Sequence, residues 1–288
     1  MRTSYFPGCS LHSTSGEYDK SFRAVSALLD VDLVEPKKWI CCGTTPAHAT
    51  SRLLGAALPL KNLSIVEEEG FKEVVVPCAA CFSRFKSADH EARHDPELAN
   101  QVEEVIGSRY GHSVKVMHPL EIFGDGAGQV PFAHKVTRPL AGLKVACYYG
   151  CLLTRPPKVM QFDNAEYPMS MDRLVAALGA TPIDWAYKVE CCGASLALTI
   201  SDVVVGLVHK IIEDARARGA DAIAVACPLC HVNLDSRQKD VEKKFGTKPD
   251  MPVLFFTQLM GLAMGIEPAA LGLARHLVDV SRLIATVA

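Results

Sequence analysis

The chain has 288 residues, of which 49% are apolar and 22% charged, and its net charge is -2. That composition belongs to a folded protein with room for one large domain or two ordinary ones, and it excludes a disordered chain. The near-neutral balance offers no basic field to nucleic acid, and no apolar run of about 18 uncharged residues marks a membrane span.

In chain order, Met1 to Phe6 reads as a short strand entering Pro7-Gly8-Cys9. It lacks the apolar core of a signal peptide, so a cytoplasmic location is expected. Glu17 to Leu29 places Tyr18, Phe22, Val25 and Leu29 on one helical stripe. A second helix ends at Gly70, and the β-branched run Val74 to Val76 follows it. Val114 to Met117 is a further strand, and the Gly- and Pro-rich stretch Gly124 to Leu140 is the expected linker. The order then recurs. Lys144 to Tyr148 reads as a strand, and a helix starts with Ser170 as N-cap, carries Met171, Leu174, Val175 and Leu178, and ends at Gly179. Another helix ends at Gly219, followed by strands at Ile223 to Val225 and Val253 to Phe256. Helices alternating with short apolar strands predict an α/β fold with mostly parallel sheets. Two pseudo-symmetric Rossmann-like units are expected, over residues 1–130 and 140–288.

Eleven cysteines give the chain its chemistry. In a reducing compartment they are expected as metal ligands or redox groups rather than disulfides, and an odd number cannot pair completely. Ten fall into two sets with one grammar. Cys9 is followed after residues 10–40 by Cys41-Cys42-Gly43, and after residues 43–77 by Cys78-x-x-Cys81. Cys151 is followed after residues 152–190 by Cys191-Cys192-Gly193, and after residues 193–226 by Cys227-x-x-Cys230. Pro7-Gly8-Cys9 pairs with Tyr149-Gly150-Cys151, and Gly70 to Cys78 pairs with Gly219 to Cys227, which is the mark of a duplication.

Thiolate sets suit zinc or iron–sulfur clusters. Structural zinc is satisfied by four ligands, and five cysteines with two adjacent exceed that need, whereas a cluster of several irons can use the extra thiolate. Zinc, a metal-free thiol–disulfide relay and inert buried cysteines are the alternatives. Cys147 stands outside both sets, on an apolar run, and is expected in the core. His231 beside Cys230 and His12 three residues after Cys9 are candidate proton donors, and Arg84 and Arg155 could attract an anionic substrate. An exposed or core-satisfied side chain is the simpler alternative for each of these four.

Both sets resemble the cysteine-rich CCG domain of the heterodisulfide reductase B-subunit family. The likeness extends over nearly the whole chain, through Phe6-Pro7-Gly8-Cys9, both Cys-Cys-Gly motifs, Tyr149-Gly150-Cys151 with Arg155-Pro156, and Pro228 to Asp235. It implies two noncubane 4Fe-4S clusters, one held by Cys9, Cys41, Cys42, Cys78 and Cys81 and the other by Cys151, Cys191, Cys192, Cys227 and Cys230. The implied activity is reduction or formation of a disulfide such as the coenzyme M/coenzyme B heterodisulfide, with both clusters facing one cleft. The family often has a histidine directly after the glycine-cysteine of the second unit, where this chain has Leu152. No ferredoxin-type cysteine run and no G-x-G-x-x-G loop occurs. The implied partners are therefore a small ferredoxin-like subunit with two 4Fe-4S clusters and a flavin-containing subunit, besides a small disulfide or thiol substrate. A sulfur-oxidising relative, or a non-catalytic electron-transfer subunit of another redox complex, is the other functional class.

Overall fold

The computed structural model describes residues 1–44, 46–123 and 130–287. The first unit runs β1 (Arg2–Tyr5), α1 (Gly8–Leu11), α2 (Gly16–Leu28), β2 (Asp32–Val34), α3 (Pro46–Thr50) and α4 (Arg52–Glu68). It continues with β3 (Glu73–Val75), α5 (Ala79–His94), α6 (Pro96–Ile106), β4 (Lys115–Met117) and α7 (Pro119–Phe123). The second runs β5 (Lys144–Tyr148), α8 (Pro157–Met160), α9 (Ser170–Ala177), β6 (Thr181–Pro182) and α10 (Ser201–Ala217). It ends with β7 (Ala222–Val225), α11 (Pro228–Ser236), α12 (Gln238–Phe245), β8 (Val253–Phe255), α13 (Phe256–Ala263) and α14 (Ser281–Val287).

Each unit builds one four-stranded, all-parallel sheet, in the orders β2-β1-β3-β4 and β6-β5-β7-β8. Parallel strands need crossover helices, which cover both faces and make the central strands continuously apolar. Ala222-Ile223-Ala224-Val225 is buried at all four positions for that reason. The edge strands escape the sequence pattern because they are short and half-covered: Asp32–Val34 has no buried residue, and Thr181–Pro182 contains the proline that an edge tolerates.

In both sheets the strand order reverses between the first and third strands of the unit. In open parallel sheets such a switch point opens a crevice at the carboxyl ends of the strands, and ligands bind there. Cys9 follows β1 and Cys78 follows β3; Cys151 follows β5 and Cys227 follows β7. Both cysteine sets therefore lie where this topology makes a site.

The halves pack reciprocally. Helix α13, after the last strand of the second unit, lies on α2 of the first, and α7, after the last strand of the first, lies on α9 of the second. Tyr18 stacks on Phe255 at 4.1 Å and 9°, and the Ser21 and Thr257 hydroxyls meet at 2.7 Å. Such a ring pair is worth about 1 kcal/mol beyond its buried area. One apolar cluster runs through both sheets.

Two local expectations change. Ser170 is the first helical residue rather than the N-cap, which is Met169; the Asp163 carboxylate accepts the N–H groups of both. A carboxylate there satisfies orphan amides and meets the positive helix end. Of the expected linker, residues 124–129 lie outside the described residues. Beyond them, Thr137 and Arg138 both donate to the Ala263 carbonyl at 2.9 Å, so this stretch is tied to the second unit.

Candidate functional site

The two cysteine sets are built alike from local rules. Cys78 and Cys227 are the N-cap residues of α5 and α11, and Cys81 and Cys230 lie in the first turns. A helix start offers free N–H groups and a positive dipole end, both of which favour thiolate. The nearby Cys81 backbone amide favours the Cys78 thiolate, and the Cys230 amide favours that of Cys227. The Cys-Cys-Gly turns repeat the device. Gly43 donates to Cys41 Sγ at 3.4 Å and Gly193 to Cys191 Sγ at 3.3 Å. The next amides, of Thr44 and Ala194, serve Cys42 and Cys192. Successive amides converge on one side only if the glycine is left-handed, and φ is +72° at Gly43 and +79° at Gly193.

Gly8 and Gly150 bring in the remaining cysteine. Both have positive φ, and a Cβ there would stand 3.4 Å from Cys81 Sγ and 3.0 Å from Cys230 Sγ, respectively. Any side chain would push into the sulfur set. Cys9 sits in α1, a single helical turn, and Cys151 in the matching loop.

Within each set the thiols meet one another. The sulfurs of Cys42 and Cys81 are 2.9 Å apart and those of Cys192 and Cys230 are 3.7 Å apart. Cys9 also lies beside Cys41, and Cys151 beside Cys191. Donors and acceptors split accordingly. The neighbouring Cys151, with the Gly193 amide, draws Cys191 down to about 6 against burial. The Cys81 hydrogen bond lowers Cys42, and the Cys230 hydrogen bond lowers Cys192. Cys81 and Cys230 are pushed far up in return.

The sets also meet each other. Cys227 lies beside Cys78 across the two units and holds its thiol well below the usual value. Cys227 itself is drawn down by Cys230, but the neighbouring Cys78 and its own burial raise it to about 12. A cavity of about 60 Å³ is lined by all five cysteines of the second set together with Thr44, Ala79 and Ala80 of the first unit. The donor set fits a thiolate-ligated cluster: five soft sulfurs per site, a dry wall, and backbone amides aimed at the sulfurs. Cys9, Cys41 and Cys191 are exposed and Cys151 is half-buried, so each site keeps an open side.

The other expected residues fall elsewhere. Cys147 is fully buried on β5; burial, then the nearby Asp172 carboxylate, raises its thiol well above the usual value. His231 adjoins Cys230 in sequence, but its ring stacks on Phe255 at 4.3 Å and its Nε2 lies 3.0 Å from the Val253 carbonyl and 3.1 Å from His276 Nδ1. Burial depresses it to about 3, so it is neutral near pH 7. His12 packs on Trp39 and pairs with Glu35 at 3.3 Å. Arg155 donates to the Val189 carbonyl at 3.4 Å and pairs with Glu166 at 2.6 Å, tying the loop after Cys151 to the segment before Cys191. Arg84 is half-buried on α5.

Sequence reasoning missed three groups. Asp172 and Lys188 form a buried ion pair at 2.5 Å, and Asp172 also accepts from the Tyr149 hydroxyl at 2.7 Å, directly behind Gly150-Cys151. His118 joins the two C-x-x-C turns. Neither has a sequence motif. The third is an apolar lip after the second Cys-Cys-Gly, where Leu196, Leu198, Ile200 and Val203 are exposed, Leu198 at 99%. This signal is readable, because residues 193–201 carry no charge.

Paired parallel sheets with thiol nests at both switch points define a duplicated cysteine-rich domain. The model of that domain, CCG, matches residues 3–86 and again 145–235. The chain belongs to the CCG cysteine-rich domain family that includes the heterodisulfide reductase B subunits. Its relatives include the ferredoxin:CoB-CoM heterodisulfide reductase B subunit of Methanosarcina mazei, 30% identical over 96% of this chain and 94% of that one. The 8-methylmenaquinol:fumarate reductase membrane anchor subunit of Wolinella succinogenes is 30% identical over 97% and 98%. Among the described residues no helix is long and apolar enough to cross a membrane. A hypothetical protein from Helicobacter pylori shares the fold, with a TM-score of 0.78 at 13% identity; it is matched over 97% of this chain and 52% of its own length.

Proposed function

We propose that the chain is the iron–sulfur component of a heterodisulfide reductase-like complex, and that it reduces, or in reverse forms, a small disulfide. The observation that carries the reading is the contact between Cys78 and Cys227, which joins two five-cysteine sets at one place. The balanced reaction takes one disulfide, two electrons and two protons to two thiols. Cys9, Cys41, Cys42, Cys78 and Cys81 would hold one noncubane cluster, and Cys151, Cys191, Cys192, Cys227 and Cys230 the other. When bound, such clusters supply single electrons and a soft metal face for sulfur.

The protein's own residues do the rest. The Gly43 and Gly193 turns present amides to the sulfurs and offset their charge. Ala79 and Ala80 from one unit and Leu229 from the other make the cavity apolar and exclude water. Leu152, where a histidine is common in the family, adds a further apolar side chain to that rim in place of an imidazole. Electrons come from another protein, for which a ferredoxin-like subunit with two 4Fe-4S clusters, fed by a flavin-containing subunit, is the proposed source. The coenzyme M/coenzyme B heterodisulfide is the substrate suggested by the relatives' names.

The test is thiol release from a disulfide by the purified complex with a reduced dye as donor. Release that depends on iron and on both cysteine sets is expected; an iron-loaded chain that passes electrons but never cleaves a disulfide defeats the catalytic reading. A second reading, an electron-transfer subunit of a quinol-linked complex, is favoured by the exposed lip at Leu198, Ile200 and Val203 and by the Wolinella relative's name. The same assay separates the two.

A further inference from the structure

His118 follows β4 directly and is fully buried. Its Nδ1 accepts the Leu120 N–H at 3.2 Å, which leaves the ring proton on Nε2. Nε2 stands 3.1 Å from the Pro77 carbonyl oxygen and 3.0 Å from the Ala226 carbonyl oxygen. One N–H is thus shared between two acceptors. Pro77 is the residue before Cys78, and Ala226 is the residue before Cys227. These are the two cysteines whose thiols meet across the units. Burial depresses the imidazole to about 4, so it remains a neutral single donor at physiological pH.

The position is not duplicated. Met117 pairs with Val75 as Leu254 pairs with Ala224, each partner lying three residues before the first cysteine of its C-x-x-C, so the counterpart of His118 is Phe255. Phe82, Phe162 and Phe256 surround the imidazole with ring centroids 6.0 to 6.3 Å away. This apolar wall offers the N–H no other partner and keeps water from competing for the two carbonyls.

We propose that His118 is a positioning residue that binds the two C-x-x-C turns into one rigid unit and so sets the spacing between the two metal sites. The proposal rests on the two-cluster reading for its functional meaning, but the clamp itself is a property of the protein. A spacing of this kind matters for any reaction that divides one small substrate between two centres, since misplacement by about 1 Å costs on the order of a hundredfold in rate.

The experiment compares full-length His118→Phe and His118→Gln with the wild type. Phenylalanine keeps the ring volume and repeats the second unit's own choice, but donates nothing; glutamine keeps a side-chain N–H. In the reduced, iron-free chain, a short bifunctional thiol reagent should link Cys78 to Cys227, read by peptide mass. Loss of the clamping hydrogen bond should cut the yield roughly fivefold in His118→Phe, and His118→Gln should recover most of it. In the iron-loaded chain, His118→Phe should keep its iron, change the magnetic coupling between the clusters, and lower kcat with KM little altered. Wild-type cross-linking and coupling in His118→Phe overturn the proposal. Clamp-dependent cross-linking in a chain that never takes up iron removes the two-cluster reading instead and leaves the clamp standing.

Discussion

The two units share one recipe for holding sulfur and differ in everything around it. Both present Gly-Cys, Cys-Cys-Gly and C-x-x-C at the carboxyl ends of a parallel sheet, with matching left-handed glycines and matching amide–sulfur hydrogen bonds. Behind the first set, a tyrosine and an aspartate meet a cation that is 39% exposed: Tyr5 donates to Asp19 at 2.6 Å, and Arg23 pairs with it at 3.0 Å. Behind the second, Tyr149 and Asp172 meet Lys188, which is 1% exposed. After the first Cys-Cys-Gly come His48, Thr50 and Ser51; after the second comes the apolar lip ending at Val203. Duplication preserved what the ligands require and left the supports and the outer rims free to diverge.

The hardest way to break the symmetry is to remove a ligand. Cys41→Ser and Cys192→Ser should each lose the cluster of their own half, taking iron from about eight to about four per chain, and should abolish disulfide turnover. Iron analysis beside the dye-driven assay checks this, and full turnover with one cluster would remove the two-site mechanism.

The supports should differ in cost. Lys188→Met strands the buried Asp172 carboxylate and should destabilise the protein by about 3–5 kcal/mol, whereas Arg23→Met breaks a solvent-screened pair worth about 1 kcal/mol or less. Urea midpoints of the two variants measure the contrast directly. Equal losses would mean that the burial of Lys188 has no energetic consequence.

Acid should probe the unduplicated position His118/Phe255. The folded value of His118, about 4, lies below the ordinary 6.5, so the unfolded chain binds the proton first. Its contribution is therefore complete above pH 6.5 and is lost as pH falls toward 4, by about 3 kcal/mol. His118→Phe should lose that share of the acid sensitivity, as seen in denaturant midpoints across a range of about pH 4–7. The smallest effect belongs to Cys147→Ala. Both clusters should remain, and stability should fall by about 1 kcal/mol through lost packing and one hydrogen bond to Asp172. A missing cluster in that variant would make Cys147, not Cys151, the ligand.

The sequence by itself determined the repeat, the two cysteine sets, the parallel α/β class and every described strand except the edges β2 and β6, because these depend on local spacing and on apolar runs buried on both faces. The strand expected at Met1 to Phe6, for example, lies at Arg2–Tyr5. The two edge strands were hidden, since a few half-exposed residues carry no period. Tertiary structure decided which buried groups serve the sites. His231 looks poised by adjacency to Cys230, yet a helix turns successive side chains about 100° apart, and its ring faces Phe255 and His276 instead. His118 stands far along the chain from both Cys78 and Cys227 and carries no signal of its own. Its role exists only because the two sheets bring the Pro77 and Ala226 carbonyls to either side of one N–H, a coincidence of three segments that no local pattern encodes.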